Sequence, residues 1–309
     1  MGAFVVRRLL HALVVLWLVS TLVFAFLHLS PVPVEHVIGG PRATPDTLAR
    51  IRGDLGLDRP LAVQYGDFVL RLLRGDLGES YVTGVPVARL IAERAPTTLW
   101  LVLGASVLWL VGGVTAGVLG AARPGGVWDR LTTVFVLAGM SAPPFVLALV
   151  LLQAFAGGLG IFEAGPPLQE HFWRRMILPW CALALLMAAA YARLTRGAML
   201  DALAEDFVRT ARAKGVPERR VLRRHGLRAA LPPVVAQFGV DVGALIGSTV
   251  VTEKVFGLQG VGQLVQQSIA SGDAPVVIGV TLLVTACVIV TGLAADIAHS
   301  ALDPRIRLP

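Results

Sequence analysis

The stretch "LLHALVVLWLVSTLVFAFLHL", Leu9 to Leu29, runs for twenty-one residues without an Asp, Glu, Lys or Arg. About twenty residues of helix cover the hydrocarbon core of a bilayer, so this length and composition describe a membrane span. In lipid each backbone N–H and C=O must find its partner inside the protein, and a helix is the simplest solution. The run is too long for the apolar part of a secretory leader. "HLSPVPV" after it also lacks the small-x-small pattern of a cleavage site, so it reads as a retained helix.

Working outward, five more runs of this kind follow, at about Thr98–Ala122, Leu131–Ala156, Ile177–Leu194, Val234–Thr252 and Val276–Ile297. Hydrophobic residues make up 55% of the chain, charged ones 15%, and the mean hydropathy is +0.73. A soluble domain is nearer 25% charged. The expected fold is therefore an all-α integral membrane protein with six transmembrane helices. The expected boundaries are 1–29 for the first helix, 30–97 for an external segment with short helices and 98–297 for a core of five helices. Within that core lies a loop at 195–233, and 298–309 form a tail.

Charge sets the orientation. With the N-terminus inside, the inside segments hold sixteen basic residues against six acidic, and the outside segments eleven against twelve. An excess of Lys and Arg marks the cytoplasmic side, so both termini are read as cytoplasmic. The high isoelectric point then reflects topology, and no nucleic-acid partner is expected. Cys181 and Cys287 both fall in spans, which leaves no disulfide framework and no cysteine-rich metal site. Pro143, Pro144, Pro179, Gly243 and Gly247 within spans read as kinks and close helix contacts.

Eight of the basic residues crowd into "EDFVRTARAKGVPERRVLRRHGLRAALPPVV", Glu205–Val235. Leu203, Phe207 and Ala211 recur every four residues and give one helix a narrow apolar side. Gly215 suits the left-handed position past a helix end, and Pro217 the start of a second helix, with Glu218 at its positive pole. Pro232-Pro233 is read as the stop of that second helix. The loop is thus a helix–turn–helix whose corner, Ala211, Ala213 and Gly215, is slim enough to enter a partner's groove. A solvated basic loop that only enforces topology is the alternative.

"DFVRTARAKG" at 206–215, followed by "RHGLRAALPPVV" at 224–235, resembles the EAA loop of ABC importer permeases, in the form found in the peptide-importer branch. "LGLDRPLAVQY" at 55–65, "LRGDLGES" at 73–80, "SAPPF" at 141–145, "VTEKVFGLQGVGQL" at 251–264 and "ALDPRIR" at 301–307 resemble further segments of that branch, the fourth an external hairpin. They occur in the same order along nearly the whole chain, and the chain is similar to the B-type permease of oligopeptide or dipeptide importers. The family's Pro-Gly-Asp-Pro after the first span is replaced by "SPVPVEH" at 30–36. Arg209 and Thr210 stand where the general motif has Glu and Ala, Ala229 where Asn is common, and Pro232 where Leu is common.

The resemblance implies a type I ABC importer permease fold and a division of labour. Arg209, Thr210, Ala211, Arg212, Ala213, Lys214 and Gly215 would couple to a cytoplasmic ATPase. The implied partners are a second homologous permease, two ATP-binding subunits, an extracytoplasmic peptide-binding lipoprotein and membrane lipid. No cofactor is expected on this chain, with ATP–Mg in the partner ATPases. The residues agree independently: the chain has two lysines, Lys214 after Ala213 and Lys254 after Glu253, so it has no Gly-Lys-Ser/Thr phosphate loop.

Asp241 is the deepest charge in a span, and such a charge faces a bundle interior or a wet path. It is read either as part of the translocation path or as the partner of a donor on a neighbouring helix. Asp296 reads as an interface residue. Enzyme readings fail on the residues. "GMSA" at 139–142 lacks the glycine a serine protease loop would want, and no histidine pair has zinc spacing. An ion-driven transporter, the other class weighed, would want paired intramembrane acids or broken helices in an inverted repeat.

Overall fold

The computed structural model describes residues 2–29, 34–40, 43–141, 143–167 and 171–302. Most of "SPVPVEH" and "ALDPRIR", and Ala142 of "SAPPF", lie outside the described residues. So does the side chain of Asp296. Thirteen helices account for the described chain, and its only β feature there is an isolated antiparallel bridge between Glu79 and Pro86.

Four helices are long and apolar enough to cross a bilayer alone: Val87–Ala122 (α5), Phe172–Ala204 (α8), the continuous Glu218–Phe256, and the Ala274–Ala295 part of Ala274–Leu302 (α13). The third apolar run is not one rod. It consists of Val127–Ser141 (α6) and Pro144–Leu151 (α7), which continues as π-helical turns over Leu152–Gly158, and the pair is bent by 102°. Proline at the start of α7 accounts for the break, since it cannot donate a backbone hydrogen bond to the preceding turn. The first run lies in Gly2–Leu29 (α1), where Leu10–Ala25 is an apolar stretch shorter than a full span among the described residues. Six apolar segments of the sequence thus correspond to four full spans, one bent pair and α1.

The chain divides into two compact units. The first comprises residues 1–96 and 260–287. Its short helices are Val34–Gly39 (α2), Pro45–Asp54 (α3) and Leu61–Leu73 (α4), as the amphipathic pieces of the external segment lead one to expect. Thr44 caps α3 by accepting from the Thr47 N–H, and Pro45 occupies the first turn, where its missing donor costs nothing. The aromatic face of α4 meets α1: the Phe24 ring lies 5.3 Å from Tyr65 and 5.4 Å from Phe68, and the Tyr65 and Thr21 hydroxyls are 2.7 Å apart. Val87 and Ile91, at the start of α5, pack on Val261 and Leu264 of Val261–Ser271 (α12) and on Val276 and Val280 of α13. Asp273, buried between α12 and α13, accepts from the Ser80 hydroxyl and from the Tyr81 N–H, and so pins the loop before α5. Burial, the largest influence there, pushes the Tyr81 phenol up.

The second unit, residues 97–259 and 288–309, is built around α8, which touches α6, α7 and Leu227–Phe256 (α11). Leu101, Ala105 and Trp109 recur every four residues on α5 and are fully buried, whereas Val107 and Val111 on the same helix are 60% and 61% exposed. One side of the helix faces the protein and the other is exposed. Gly113 and Gly117 let α5 lie directly on α8, since a Cβ at either would come within 2.6 Å of the Tyr191 or Thr195 Cβ. Gly239 and Gly243 do the same for α11 against Val288, Thr291 and Ala295 of α13. Small residues four apart allow this approach, which van der Waals packing rewards in lipid. Both pairs stand in the sequence as Gly-x-x-x-Gly ("GVTAG", "GVDVG"), and Gly243 is the one of the four expected from sequence to make a close helix contact.

Candidate functional site

Two places in the second unit carry the residues singled out by sequence. The first is the elbow between α8 and α11. Helix α8 runs on to Ala204, well into the segment read as a loop from 195. Glu205, with extended backbone (φ −68, ψ 150), ends α8 and begins Asp206–Ala213 (α9). This break resets the helical phase and corrects the expected apolar face. Val208 and Ala211 are buried against Val221, with Leu203 and Val216 alongside, while Phe207 is 45% exposed.

The turn closes as the sequence predicts. Gly215 adopts φ +73, its N–H donates to Arg212 O at 2.9 Å, and the Val216 N–H donates to Ala211 O at 3.2 Å. These two bonds form the Schellman motif that satisfies the last carbonyls of a helix. Pro217 then starts Glu218–Arg220 (α10), which continues through π-helical turns at Val221–Gly226 into α11. Pro232 and Pro233 lie inside α11 and do not stop it. Ending a helix at the membrane edge would leave several carbonyls bare, whereas neighbouring helices and local π turns absorb the bonds that two prolines remove.

An ion pair braces the corner. Arg212 Nη2 and Nε donate to Glu218 Oε1 and Oε2 at 2.7 and 3.2 Å, tying the end of the first helix to the start of the second. These bonds hold the Arg212 guanidinium above its ordinary range. Arg209 pairs at 3.5 Å with Asp206, and the Thr210 hydroxyl donates to Asp206 O. Of the seven predicted residues, Ala211 belongs to the elbow's own core. Arg209, Thr210, Arg212, Ala213, Lys214 and Gly215 are exposed. Below them Arg219, Arg220, Arg223 and Arg224 line an open groove of about 470 Å³ with Pro217. The elbow is a braced corner, slim at Ala213 and Gly215, with a positive flank.

The second place is Asp241. Facing away from the Gly239–Gly243 contact, its Oδ2 accepts from the Tyr191 hydroxyl of α8 at 2.8 Å and its Oδ1 from Gln237 Nε2 at 2.9 Å. Among the described residues it makes no ion pair, so both donors are neutral. Trp109, fully buried, lies 6.1 Å from the Tyr191 ring and 5.7 Å from Phe238. The donor half of the sequence reading is therefore realised by Tyr191, fifty residues away. The buried Glu253 was not singled out by the sequence. It lies in the last turn of α11 and accepts from Thr98 Oγ1 at 2.7 Å; the segment "VTEKVFGLQGVGQL" around it consists of the end of α11, a turn at the left-handed Gly257 and the start of α12.

The family described as binding-protein-dependent transport system inner membrane component matches residues 113–308, and its N-terminal counterpart matches residues 1–102. The chain is 39% identical over 304 residues to the glutathione transport system permease protein of Escherichia coli O6:H1, covering 98% of each. It is 38% identical, at the same coverage, to that of Salmonella typhimurium. Among solved structures it resembles a chain of the inward-facing methionine ABC transporter MetNI (TM-score 0.58, 23% identity, 70% of this chain and 97% of that one). A chain of an amino acid ABC transporter with histidines gives a TM-score of 0.52 at 15% identity, over 71% of this chain and 95% of that one.

Proposed function

The chain belongs to the family of binding-protein-dependent transport system inner membrane components, and on that premise we propose that it imports peptides by coupling its spans to ATPase partners through the Gly215 elbow. It is the permease component of an ABC importer, a multi-pass protein of the inner membrane and not an enzyme. It pairs with a second, homologous permease and is served by two ATP-binding subunits, which hold ATP–Mg, and by an extracytoplasmic peptide-binding lipoprotein. Its termini and the elbow face the cytoplasm, a reading supported by the bias of basic residues to those segments. The cargo is a small peptide of glutathione's size, because the relatives matched over their full length carry that name.

The observation that carries the reading is the braced elbow. A corner closed by the Schellman motif and tied by the Arg212–Glu218 pair can pass a push from a partner to the spans, and Ala213 and Gly215 keep its tip slim on either side of Lys214. The test is purification from cells expressing the whole operon-like set, followed by reconstitution. The expected result is co-purifying nucleotide-binding subunits, and ATPase activity and glutathione uptake that both rise with loaded binding protein and vanish when those subunits are removed. Uptake by the chain alone, or uptake driven by an ion gradient without ATP, would refute it.

Asp241 serves as a polar station on the path, one carboxylate held by two neutral donors and therefore able to meet a substrate ammonium. In Asp241→Asn the amide oxygen still accepts from the Tyr191 hydroxyl, and Gln237 pairs again by turning its amide so that its Oε1 accepts from the new NH2, so assembly is expected to stay normal. Uptake of peptides with a free N-terminal ammonium falls by about tenfold, the scale of one charge-assisted hydrogen bond, and uptake of N-acetylated analogues hardly changes. Competition uptake at equal binding-protein occupancy reads this difference. Equal loss for both peptides would assign Asp241 to structure alone.

A further inference from the structure

The second unit contains a groove that neither the elbow nor Asp241 uses. It lies between α6 and α8, holds about 380 Å³ and is open along one side. The helices run antiparallel there: Asp129, early in α6, bonds Arg196, while Gly139, late in α6, abuts Ala189. The groove therefore has a direction. Arg193 and Arg196 stand at the end where α8 leaves its apolar run, and Val136, Leu137 and Met140 form the wall toward the middle of the span.

The two arginines differ. Arg196 Nε and Nη2 donate to Asp129 at 2.6 and 3.1 Å, and the Gly125 N–H holds the same carboxylate at 2.8 Å, so this cation is neutralised and fixed. Arg193 is exposed and has no ion pair among the described residues. The hydroxyls nearby are already donating to backbone carbonyls, Thr132 to Ala116 O of α5, Thr133 to Asp129 O and Ser141 to Leu137 O. What remains is one uncompensated positive charge at the edge of the span and an apolar wall leading inward.

We propose that this groove seats one anionic phospholipid of the bilayer, its phosphodiester on Arg193 and the upper part of an acyl chain along Val136, Leu137 and Met140. One net positive charge matches one phosphodiester, and the order from charged to apolar is that of a lipid in its leaflet. Basic pockets between spans on the cytoplasmic side bind such headgroups. A translocating peptide fits less well, because the wall offers its N–H groups few acceptors and its carbonyls no free hydroxyl donor, and unmatched amides are costly.

The complete importer in nanodiscs of equimolar phosphatidylglycerol and phosphatidylcholine tests this, with tightly retained lipid counted by native mass spectrometry. Wild type is expected to retain phosphatidylglycerol about fivefold over its bulk ratio, the effect of one basic residue facing an anionic lipid. Arg193→Gln should return the ratio to bulk, Arg193→Lys should keep most of it, and Met140→Trp should lower retention of both lipids by filling the wall. Unchanged thermal unfolding of Arg193→Gln keeps the comparison valid. No headgroup preference in wild type, or the same preference in Arg193→Gln, overturns the proposal. So does unchanged lipid with a raised KM for peptide uptake, which would make the groove part of the path.

Discussion

A permease carrying Gly215→Glu is expected to insert into the membrane at the normal level and to lose peptide uptake by roughly a hundredfold, about 2.8 kcal/mol of coupling at 1.4 kcal/mol per decade. Two properties of the position lead there. A Cβ built at Gly215 meets nothing within 4 Å, so the protein's own fold has room for a side chain. The backbone, however, sits at φ +73, where an L-residue costs about 1–2 kcal/mol. Strain alone cannot account for a hundredfold loss. The remainder has to come from bulk and negative charge where a partner fits closely. Three variants separate these contributions. Gly215→Ala carries the strain without the bulk and should lose several-fold. Gly215→Asn tolerates the left-handed region and should stay nearer wild type in folding while losing uptake through its size. Gly215→Glu adds charge to both. Uptake within threefold of wild type in the Glu variant, with the ATPase subunits still bound, would remove the elbow from the drive.

How much of this could be read from the chain depends on how local each cause is. The apolar runs, the left-handed Gly215 and the start at Pro217 follow from composition and from one residue's backbone preference, and the structure has all three. The buried face of α9 did not follow, because a break at Glu205 shifts the phase, and Val208 rather than Phe207 turns inward. Pro232-Pro233 looked like a stop because proline ends helices in water; in a span the helix continues through it. The kink at Pro143-Pro144 was legible as proline within a span, but its size was not, since neither proline nor hydropathy fixes a bend of 102° inside an apolar run. The partners of Asp241, Glu253 and Asp273 are set by tertiary contacts: Tyr191 is 50 residues from Asp241, Thr98 is 155 from Glu253, and Ser80 is 193 from Asp273. No local pattern announces these three, whereas the Gln237 donor to Asp241 is an i,i+4 neighbour on the same helix. The two Gly-x-x-x-Gly pairs were legible, and their spacing was the signal.

Gly239 makes the opposite demand from Gly215, and the contrast gives the second large effect. Its backbone is helical, so alanine there should help, by about 1 kcal/mol on helix propensity alone. Space decides against it. A Cβ at Gly239 would lie 1.9 Å from the Ala295 Cβ and 3.0 Å from the Ala295 Cα, and a backbone atom cannot swing aside as a side-chain tip can. Gly239→Ala must therefore push α11 off α13, with overpacking costs of about 1–3 kcal/mol or more. Because Asp241 sits two residues on, the shift also draws its carboxylate from the Tyr191 hydroxyl, now 2.8 Å away. The expected result is a clearly lowered unfolding temperature of the solubilised complex and uptake reduced at least tenfold. Ala295→Gly alone should be mild, and combined with Gly239→Ala it should recover most of both losses, because it removes the nearer of the two clashing atoms. A double variant no better than Gly239→Ala would mean that the contact between α11 and α13 is not what Gly239 is there to permit.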